Sequence, residues 1–213
     1  TIALIIMLFL VFCLLYNVNP TTIFEKFEEK CNLDPLNDIV RVDSGKPGPT
    51  ILLLGGVHGN EKSGAVYLQK FSKDLQEGKI NVDSGKIVVI HTANKCGFNN
   101  NSRYVPGLEY DDINRNFPKE KNSKECRGPI STTILKEVDK ADIVFDFHEG
   151  YDYHKLNKRS IGSTLTTVGC KISNDLSEYI VKQLNNNIPE EHRKFTVISS
   201  NPESPKYLKH FEI

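Results

Sequence analysis

Two histidines and one glutamate of the chain could bind a metal ion together. His58 and Glu61 stand three residues apart in the stretch GGVHGNEKSG, and His148 lies far downstream in DFHEG. Side chains at positions i and i+3 of a helical turn share a face, so the imidazole and the carboxylate can point to the same place. With His148 as a third ligand, one position of a zinc ion stays open for water, as in catalytic zinc sites. The spacing therefore predicts a zinc site that activates a water molecule.

The long polar segment over residues 93–130 carries side chains that suit an anionic substrate. Asn114 and Arg115 stand next to each other in DDINRNFP. A guanidinium pairs with a carboxylate through two parallel hydrogen bonds, and an asparagine adds a donor. Arg103, if it faces the metal, would stabilise the oxyanion that forms when water attacks an amide carbonyl. The alternative is that all three are solvated loop residues.

Other polar residues near these positions are expected to have supporting roles. Asp146, two residues before His148, could orient a ligand imidazole. Asp111 and Asp112 are expected to be solvated or to orient the arginines. His91 is expected to be a structural histidine at the end of a strand.

The segment after His148 is expected to be a loop that faces the substrate. His154 and Arg159 could contact a ligand there, or belong to an ordinary exposed loop. Glu149 is not assigned a catalytic role, because adjacent residues on a strand point to opposite faces.

Buried strands would bring the two histidines to one edge of a sheet. Further strands and helices alternate along the chain: strands at 38–45, 50–54, 86–92, 141–147, 164–169 and 194–200, and helices at 61–77, 131–140 and 173–188. This alternation indicates an α/β fold with a mainly parallel sheet covered on both faces. In such folds ligands bind beyond the carboxyl ends of the strands, where His58 and His148 emerge. An H-x-x-E pair alone occurs often by chance, but the joint placement favours a metal site.

Length and charge limit the class of protein. The chain has 213 residues, which suffice for one α/β domain with a sizeable core. Lys and Arg together number 27, as do Asp and Glu, so the formal net charge is zero. A nucleic-acid binder would show a basic excess or a basic stripe, so that class is excluded.

The first sixteen residues, TIALIIMLFLVFCLLY, carry no charge and are nearly all apolar. This length falls between the core of a signal peptide and a full membrane span. We expect a signal peptide or membrane anchor over 1–16, with a buried core helix as the alternative. A spacer would then occupy 17–35 and a catalytic domain 36–213, and the protein would be membrane-anchored or secreted into a lumenal or external space.

Four cysteines follow the apolar segment: Cys31, Cys96, Cys126 and Cys170. In a secreted protein, four cysteines allow two disulfides in three pairings. The alternative is four unpaired thiols.

Three motifs together resemble those of the zinc carboxypeptidase superfamily, and within it the succinylglutamate desuccinylase/aspartoacylase branch. They are GGVHGNEKSG, SRY followed by DDINRNFP, and DFHEGYDYH, and they span roughly residues 50–160 in the family's order. The resemblance implies a three-layer α/β/α fold with a mixed, mainly parallel sheet. It also implies one Zn²⁺ held by His58, Glu61 and His148.

The resemblance also implies a reaction. Arg103 would lie beside the scissile carbonyl, and Asn114 and Arg115 would grip a carboxylate of a small-molecule or peptide substrate. The expected activity is deacylation of an N-acyl amino acid. The alternatives are removal of a C-terminal residue from a peptide, and a membrane-tethered protein that keeps the zinc pocket without turnover.

The family's general base is a glutamate on a late strand. We expect this residue beyond Ile213, with Glu203 and Glu212 as alternatives.

Overall fold

A computed structural model of the chain describes four stretches, which are residues 38–105, 110–118, 123–167 and 171–199. These stretches contain six strands: β1 (Ile39–Asp43), β2 (Thr50–Gly55), β3 (Lys86–Ile90), β4 (Ile143–Phe147), β5 (Thr164–Thr167) and β6 (Thr196–Ser199). They also contain four α-helices: α1 (Lys62–Gln76), α2 (Lys95–Asn100), α3 (Pro129–Val138) and α4 (Lys171–Asn185). Two short 3-10 helices complete the described elements: Ile113–Arg115 and Glu191–Arg193.

Strands β1 to β4 form one mixed sheet in the order β1-β3-β2-β4. Strand β2 lies between β3 and β4 and runs parallel to both, whereas β1 pairs with β3 in the antiparallel direction. Leu54 near the end of β2 is paired with Asp146 near the end of β4. The residues that follow these two strands therefore leave the sheet at the same edge, as predicted for a mixed, mainly parallel α/β sheet.

Helices cover both faces of this sheet. Leu52 and Leu54 of β2 form a core with Ile134 of α3. Alternate residues of a strand point to opposite faces, and Leu53 accordingly packs in a second core with Leu68 of α1. A strand buried on both faces is apolar along its whole length, which explains the continuous run that the sequence shows there. The predicted three-layer α/β/α arrangement is confirmed.

Helix α1 begins directly after Glu61. Gly78 follows the end of the helix with φ of +70°, and its N–H donates to the carbonyl of Leu75 at 3.1 Å. A left-handed residue at this position terminates a helix, and glycine adopts it without a steric penalty. The predicted helix over 61–77 is confirmed, and its start places Glu61 at the edge of the sheet.

Strands β5 and β6 pair with each other in a separate parallel sheet, and α4 contacts both. The prediction of these strands is confirmed, but they do not extend the main sheet. Their side chains are mostly half-buried, as expected for a ribbon covered on one side.

The described parts of the segment over 93–130 contain more regular structure than its composition indicates. It contains α2, a 3-10 helix and the start of α3. Asn94 caps α2, because its Oδ1 accepts the Gly97 N–H at 2.7 Å. The polar residues of this segment form caps and turns. The helix between them has six residues, which is too short to show an apolar periodicity.

The cysteines match neither predicted alternative. Cys96 is disulfide-bonded, whereas Cys126 carries a free thiol. Two disulfides among the four cysteines, and four unpaired thiols, are therefore both wrong. Cys31 and Cys170 lie outside the described residues.

The structure corrects the predicted membrane-anchored or secreted location. Within the four described stretches, no helix has both the length and the apolar character that a membrane crossing requires. The segment 1–16, on which the prediction of a signal peptide or anchor depended, lies outside the described residues, as do Glu203 and Glu212. The domain boundaries at 17–35 and 36–213 stay predictions.

Candidate metal centre

A glycine turn directs His58 to the edge of the sheet. Gly56, which follows β2, has φ of +65°, a conformation that residues with a side chain rarely adopt. A Cβ on Gly56 would also lie 3.1 Å from the Cα of Thr92, because the end of β3 packs against the turn. The Asn94 N–H donates to the Gly56 carbonyl at 2.8 Å and fixes the turn. His58 is 2% exposed as a result.

His58, Glu61 and His148 converge, with one potential ligand atom of each lying within 4.8 Å of the others. The Nδ1 of His58 lies 2.8 Å from Glu61 Oε1 and 3.2 Å from His148 Nδ1. The Nδ1 of His148 lies 2.8 Å from Glu61 Oε2. Both Nδ1 atoms and the carboxylate therefore face one point.

Each imidazole has a carboxylate on its other ring nitrogen. The Nε2 of His58 lies 3.3 Å from Asp112 Oδ1, and the Nε2 of His148 lies 3.1 Å from Asp146 Oδ2. A neutral ring that donates Nε2–H to a carboxylate offers the lone pair of Nδ1 on its other side, and the carboxylate fixes the orientation of the ring. Both rings are thus held with Nδ1 toward the shared point.

Asp112 differs from its expected role. Instead of orienting an arginine or being only solvated, its Oδ1 contacts His58 and also accepts the Asn114 N–H at 3.0 Å. It is the N-cap of the 3-10 helix Ile113–Arg115. The contact with His58 depends on how the loop returns to the sheet edge, which residue spacing does not reveal. The available signal was the aspartate two residues before Asn114, a position typical of a side-chain cap.

The Glu61 carboxylate is ionised at neutral pH. Burial raises the pKa of Glu61, but hydrogen bonds from His148, His58 and the Glu149 N–H lower it more, so the pKa lies well below its usual range. The Glu149 N–H donates to Glu61 Oε2 at 3.0 Å. Glu61 therefore offers a full negative charge to a cation.

His148 is protonated at neutral pH when only protein groups surround it. Burial lowers the pKa of His148, but the carboxylates of Asp146 and Glu61 raise it more, to about 10. A histidine has to be neutral to bind a metal ion, so binding of a metal at this cluster is coupled to release of that proton.

Arg103 reaches the same cluster from the long segment. Its Nη1 lies 2.5 Å from Glu61 Oε1. Burial lowers the pKa of the guanidinium, and Glu61 and Tyr104 raise it more, so Arg103 keeps its charge. Its backbone carbonyl accepts the Gly59 N–H at 3.2 Å. Arg103 therefore lies beside the predicted ligands.

Asn114 and Arg115 occupy the 3-10 helix that Asp112 caps. Asn114 is buried, and its Oδ1 has no hydrogen-bond partner among the residues that the structure describes. Arg115 is exposed on the same turn. The structure connects the pair to the cluster through Asp112, whose Oδ1 contacts both His58 and the Asn114 N–H.

Three further polar residues near the edge have structural partners. The carboxylate of Glu149 accepts the Ser63 N–H in the first turn of α1. The Nδ1 of His91 lies 2.9 Å from Thr92 Oγ1, in agreement with its expected structural role. The Nδ1 of His154 donates to the Ser160 carbonyl at 2.7 Å, within the loop after His148.

The donor set fits zinc. Two imidazole nitrogens and a carboxylate are ligands of catalytic zinc sites, and ligand atoms of one tetrahedral zinc lie roughly 3.3 Å apart. The observed separations of 2.8 to 3.2 Å between Glu61, His58 and His148 are close to this value. An ionised carboxylate and two rings fixed by aspartates complete the requirements for a divalent cation.

The chain is similar to one family model and to several known proteins. The model of the succinylglutamate desuccinylase/aspartoacylase catalytic domain matches residues 47–159. N-alpha-acetyl-L-2,4-diaminobutyric acid deacetylase from Halomonas elongata is 31% identical over 105 residues, which are 48% of this chain and 29% of that protein. A variant of Cell Shape Determinant protein Csd4 from Helicobacter pylori superposes with a TM-score of 0.59 at 18% identity, over 82% of this chain and 46% of that chain. A succinylglutamatedesuccinylase/aspartoacylase from Rhodobacter sphaeroides is 28% identical with a TM-score of 0.43, over 54% of this chain and 34% of that chain.

This chain spans less than half the length of each of these three relatives. The likeness to Csd4 shows a shared α/β fold. The family match covers just over half of the chain and includes every predicted site residue from His58 to His148. The chain therefore belongs to the succinylglutamate desuccinylase/aspartoacylase family.

Proposed function

We propose that this protein is a zinc-dependent amide hydrolase that removes the acyl group from an N-acyl amino acid. Its family is named for a desuccinylase and an aspartoacylase, and one relative is a deacetylase of an N-acetylated amino acid. The observation that carries the proposal is the convergence of three donor atoms within 4.8 Å of one another. They lie beyond the carboxyl ends of parallel strands, where α/β proteins bind their ligands.

In this proposal His58, Glu61 and His148 hold one zinc ion. Asp112 and Asp146 fix the two rings through Nε2. When bound, zinc would polarise the scissile carbonyl and acidify a water molecule. The three protein ligands leave a coordination position for that chemistry.

Arg103 is proposed to stabilise the negative charge that develops on the carbonyl oxygen. Its guanidinium already lies against Glu61, at the edge of the cluster. A fixed cation at this place acts on the oxyanion more strongly than on the neutral carbonyl, so it lowers the barrier.

Asn114 and Arg115 are proposed to bind a carboxylate of the substrate. The buried Asn114 amide has an oxygen without a hydrogen-bond partner among the described residues. Rotation of the amide by half a turn would present its NH₂ to a carboxylate. Arg115 on the same turn supplies a charged donor.

The general base is assigned to no residue of the described stretches. Glu149, next to a proposed ligand, uses its carboxylate to accept the Ser63 N–H. This contact satisfies an N–H of the first turn of α1.

Metal analysis of purified full-length protein tests the zinc site. We expect about one zinc per chain in the wild type and in His91→Ala, whose histidine lies outside the cluster. We expect no retained zinc in His58→Ala and His148→Ala. Retention of zinc by either of these variants would remove the basis of the proposal.

A substrate screen tests the reaction. N-acetyl amino acids should release acetate, and short peptides should be poor substrates. Release of a free C-terminal amino acid from peptides would instead indicate a carboxypeptidase. Stoichiometric zinc with no hydrolysis of either class would indicate a zinc pocket without turnover.

A further inference from the structure

One buried asparagine connects the proposed ligands with Arg103. Asn94 is 1% exposed and caps α2 through its Oδ1, which accepts the Gly97 N–H at 2.7 Å. Its Nδ2 donates to the Arg103 carbonyl at 3.4 Å, and its backbone N–H donates to the Gly56 carbonyl at 2.8 Å. A helix cap needs only the first of these bonds. The other two link Asn94 to the ligand loop, which is the segment from Gly56 to Glu61, and to Arg103.

Two glycines bring the ligand loop and α2 into direct backbone contact. A Cβ on Gly59 would overlap the backbone of Gly97 and Phe98, and a Cβ on Gly97 would overlap the side chain of Asn94. This close approach allows the Gly59 N–H to donate to the Arg103 carbonyl at 3.2 Å. The Arg103 carbonyl therefore accepts one hydrogen bond from the ligand loop and another from Asn94.

We propose that Asn94 is a positioning residue for Arg103. By holding the Arg103 carbonyl against the ligand loop, it sets where the guanidinium lies relative to Glu61. This inference rests on the proposed function, in which Arg103 acts on the carbonyl oxygen of the substrate.

The hydrogen bonds to the Arg103 carbonyl matter because the guanidinium contacts a carboxylate that has other partners as well. Its guanidinium contacts Glu61, and Glu61 also contacts both His58 and His148. The Glu149 N–H is a fourth partner of this carboxylate, and a carboxylate shared in this way does not hold an arginine in one place by itself. A displacement of about 1 Å in a catalytic group can lower a rate about 100-fold, so loss of the Asn94 hydrogen bond should be visible in kcat.

A double-mutant cycle on the full-length protein tests the inference. The variants are Asn94→Ala, Arg103→Ala and the combination of both, assayed with the N-acetyl amino acid that is hydrolysed fastest in the screen. Asn185→Ala is the matched control, because the Asn185 amide also makes two hydrogen bonds to backbone, with Phe195 at 2.7 and 3.0 Å, but away from the cluster. The readouts are kcat, KM and zinc content.

We expect Asn94→Ala to lower kcat about 10- to 100-fold. KM should change less than about twofold, because the lost interaction acts in the transition state. Zinc content should stay at that of the wild type, and Asn185→Ala should leave kcat unchanged. With Arg103 already replaced by alanine, the Asn94 change should lower kcat by less than about twofold, since the group it positions is absent.

Full multiplicative losses in the double variant would overturn the inference, as would loss of zinc from Asn94→Ala. If Asn94→Ala does not fold, Asn94→Asp tests the same point, because it keeps the acceptor for Gly97 and removes the donor to Arg103. An unchanged kcat in either folded variant would also overturn it. An unchanged kcat in Arg103→Ala would instead contradict the role of Arg103 in the proposed function.

Discussion

The two histidines of the cluster differ in their access to solvent. His58 is almost completely enclosed by the turn after β2, whereas the side chain of His148 is 24% exposed. The open side of the cluster is therefore the His148 side, where the chain continues into the loop that starts with Glu149.

Asp112 should strengthen zinc binding by orienting His58. Asp112→Asn keeps an oxygen to cap the 3-10 helix but loses the charge opposite Nε2. Loss of such a partner typically lowers metal affinity about 10- to 100-fold, and we expect the lower end of this range. Competition with a chromophoric chelator measures the zinc Kd.

The neighbouring aspartate provides the control for this change. Asp111 is exposed, and the structure gives its side chain no contact with either histidine. Asp111→Asn should leave the zinc Kd unchanged. Equal Kd values for the two variants would contradict the orienting role of Asp112.

Zinc binding should release a proton from His148. Its pKa is raised to about 10 by Asp146 and Glu61, so the ring is protonated at pH 8 in the metal-free protein and must become neutral to bind zinc. We expect the His148 proton to be released on zinc binding at pH 8, in addition to a proton from zinc-bound water, so apparent affinity should rise with pH below the pKa. Calorimetry in two buffers of different ionisation enthalpy counts the protons.

The Asp146→Asn variant tests whether Asp146 raises the pKa of His148. Removing that carboxylate should lower the pKa of His148, so fewer protons should be released at pH 8. Identical proton counts in the wild type and Asp146→Asn would show that Asp146 does not raise the pKa.

At the scale of elements, α3 contributes to the core on one face of the main sheet. Ile134 of α3 is completely buried against β2, whereas Ile172 of α4 is 77% exposed. Ile134→Ala should lower the free energy of unfolding by about 2–5 kcal/mol, because it removes buried methyl groups and leaves a cavity. Ile172→Ala should change it by less than about 0.5 kcal/mol. Denaturant titration measures the free energy of unfolding of both variants. Zinc is first removed by a chelator, so that metal binding does not contribute to either value.

The elements that the sequence predicts well are those with a continuous apolar run. Strands β2 and β3 contain fully buried residues and β4 is mostly half-buried. All three are mainly apolar, so their composition predicts them, and their ends identify the edge that holds His58 and His148. Helix α2 escaped prediction because six residues rich in Asn and Gly have no apolar period. An asparagine such as Asn94 is a preferred N-cap residue, so the start of this helix could have been predicted. The contact between Asp112 and His58 could not, since it depends on the path of an irregular loop.

At the scale of the whole molecule, stability should be unevenly distributed. Strand β2 has hydrogen-bonded neighbours on both sides and helices on both faces. Within the described residues, β5 and β6 pair only with each other, and they are mostly half-buried. Local opening requires less free energy where few apolar groups are buried. Amide hydrogens of β2 should therefore exchange more slowly than those of β6. Hydrogen exchange followed by mass spectrometry measures this order, and equal protection would show that the two sheets unfold together.

This chain covers 29% of the length of the deacetylase relative. The substrate screen is therefore the experiment that identifies the acyl group and the amino acid. The proposed metal ligands and the proposed carboxylate-binding residues all lie within the described residues.

That His58, Glu61 and His148 bind a single zinc ion is tested most directly by X-ray absorption at the zinc edge of the purified protein. We predict a first shell of nitrogen and oxygen atoms at about 2.0–2.1 Å, with the outer-shell scattering of two imidazoles and no sulfur. A sulfur shell at about 2.3 Å, or the absence of imidazole scattering, would place the metal on other residues and contradict the proposed centre.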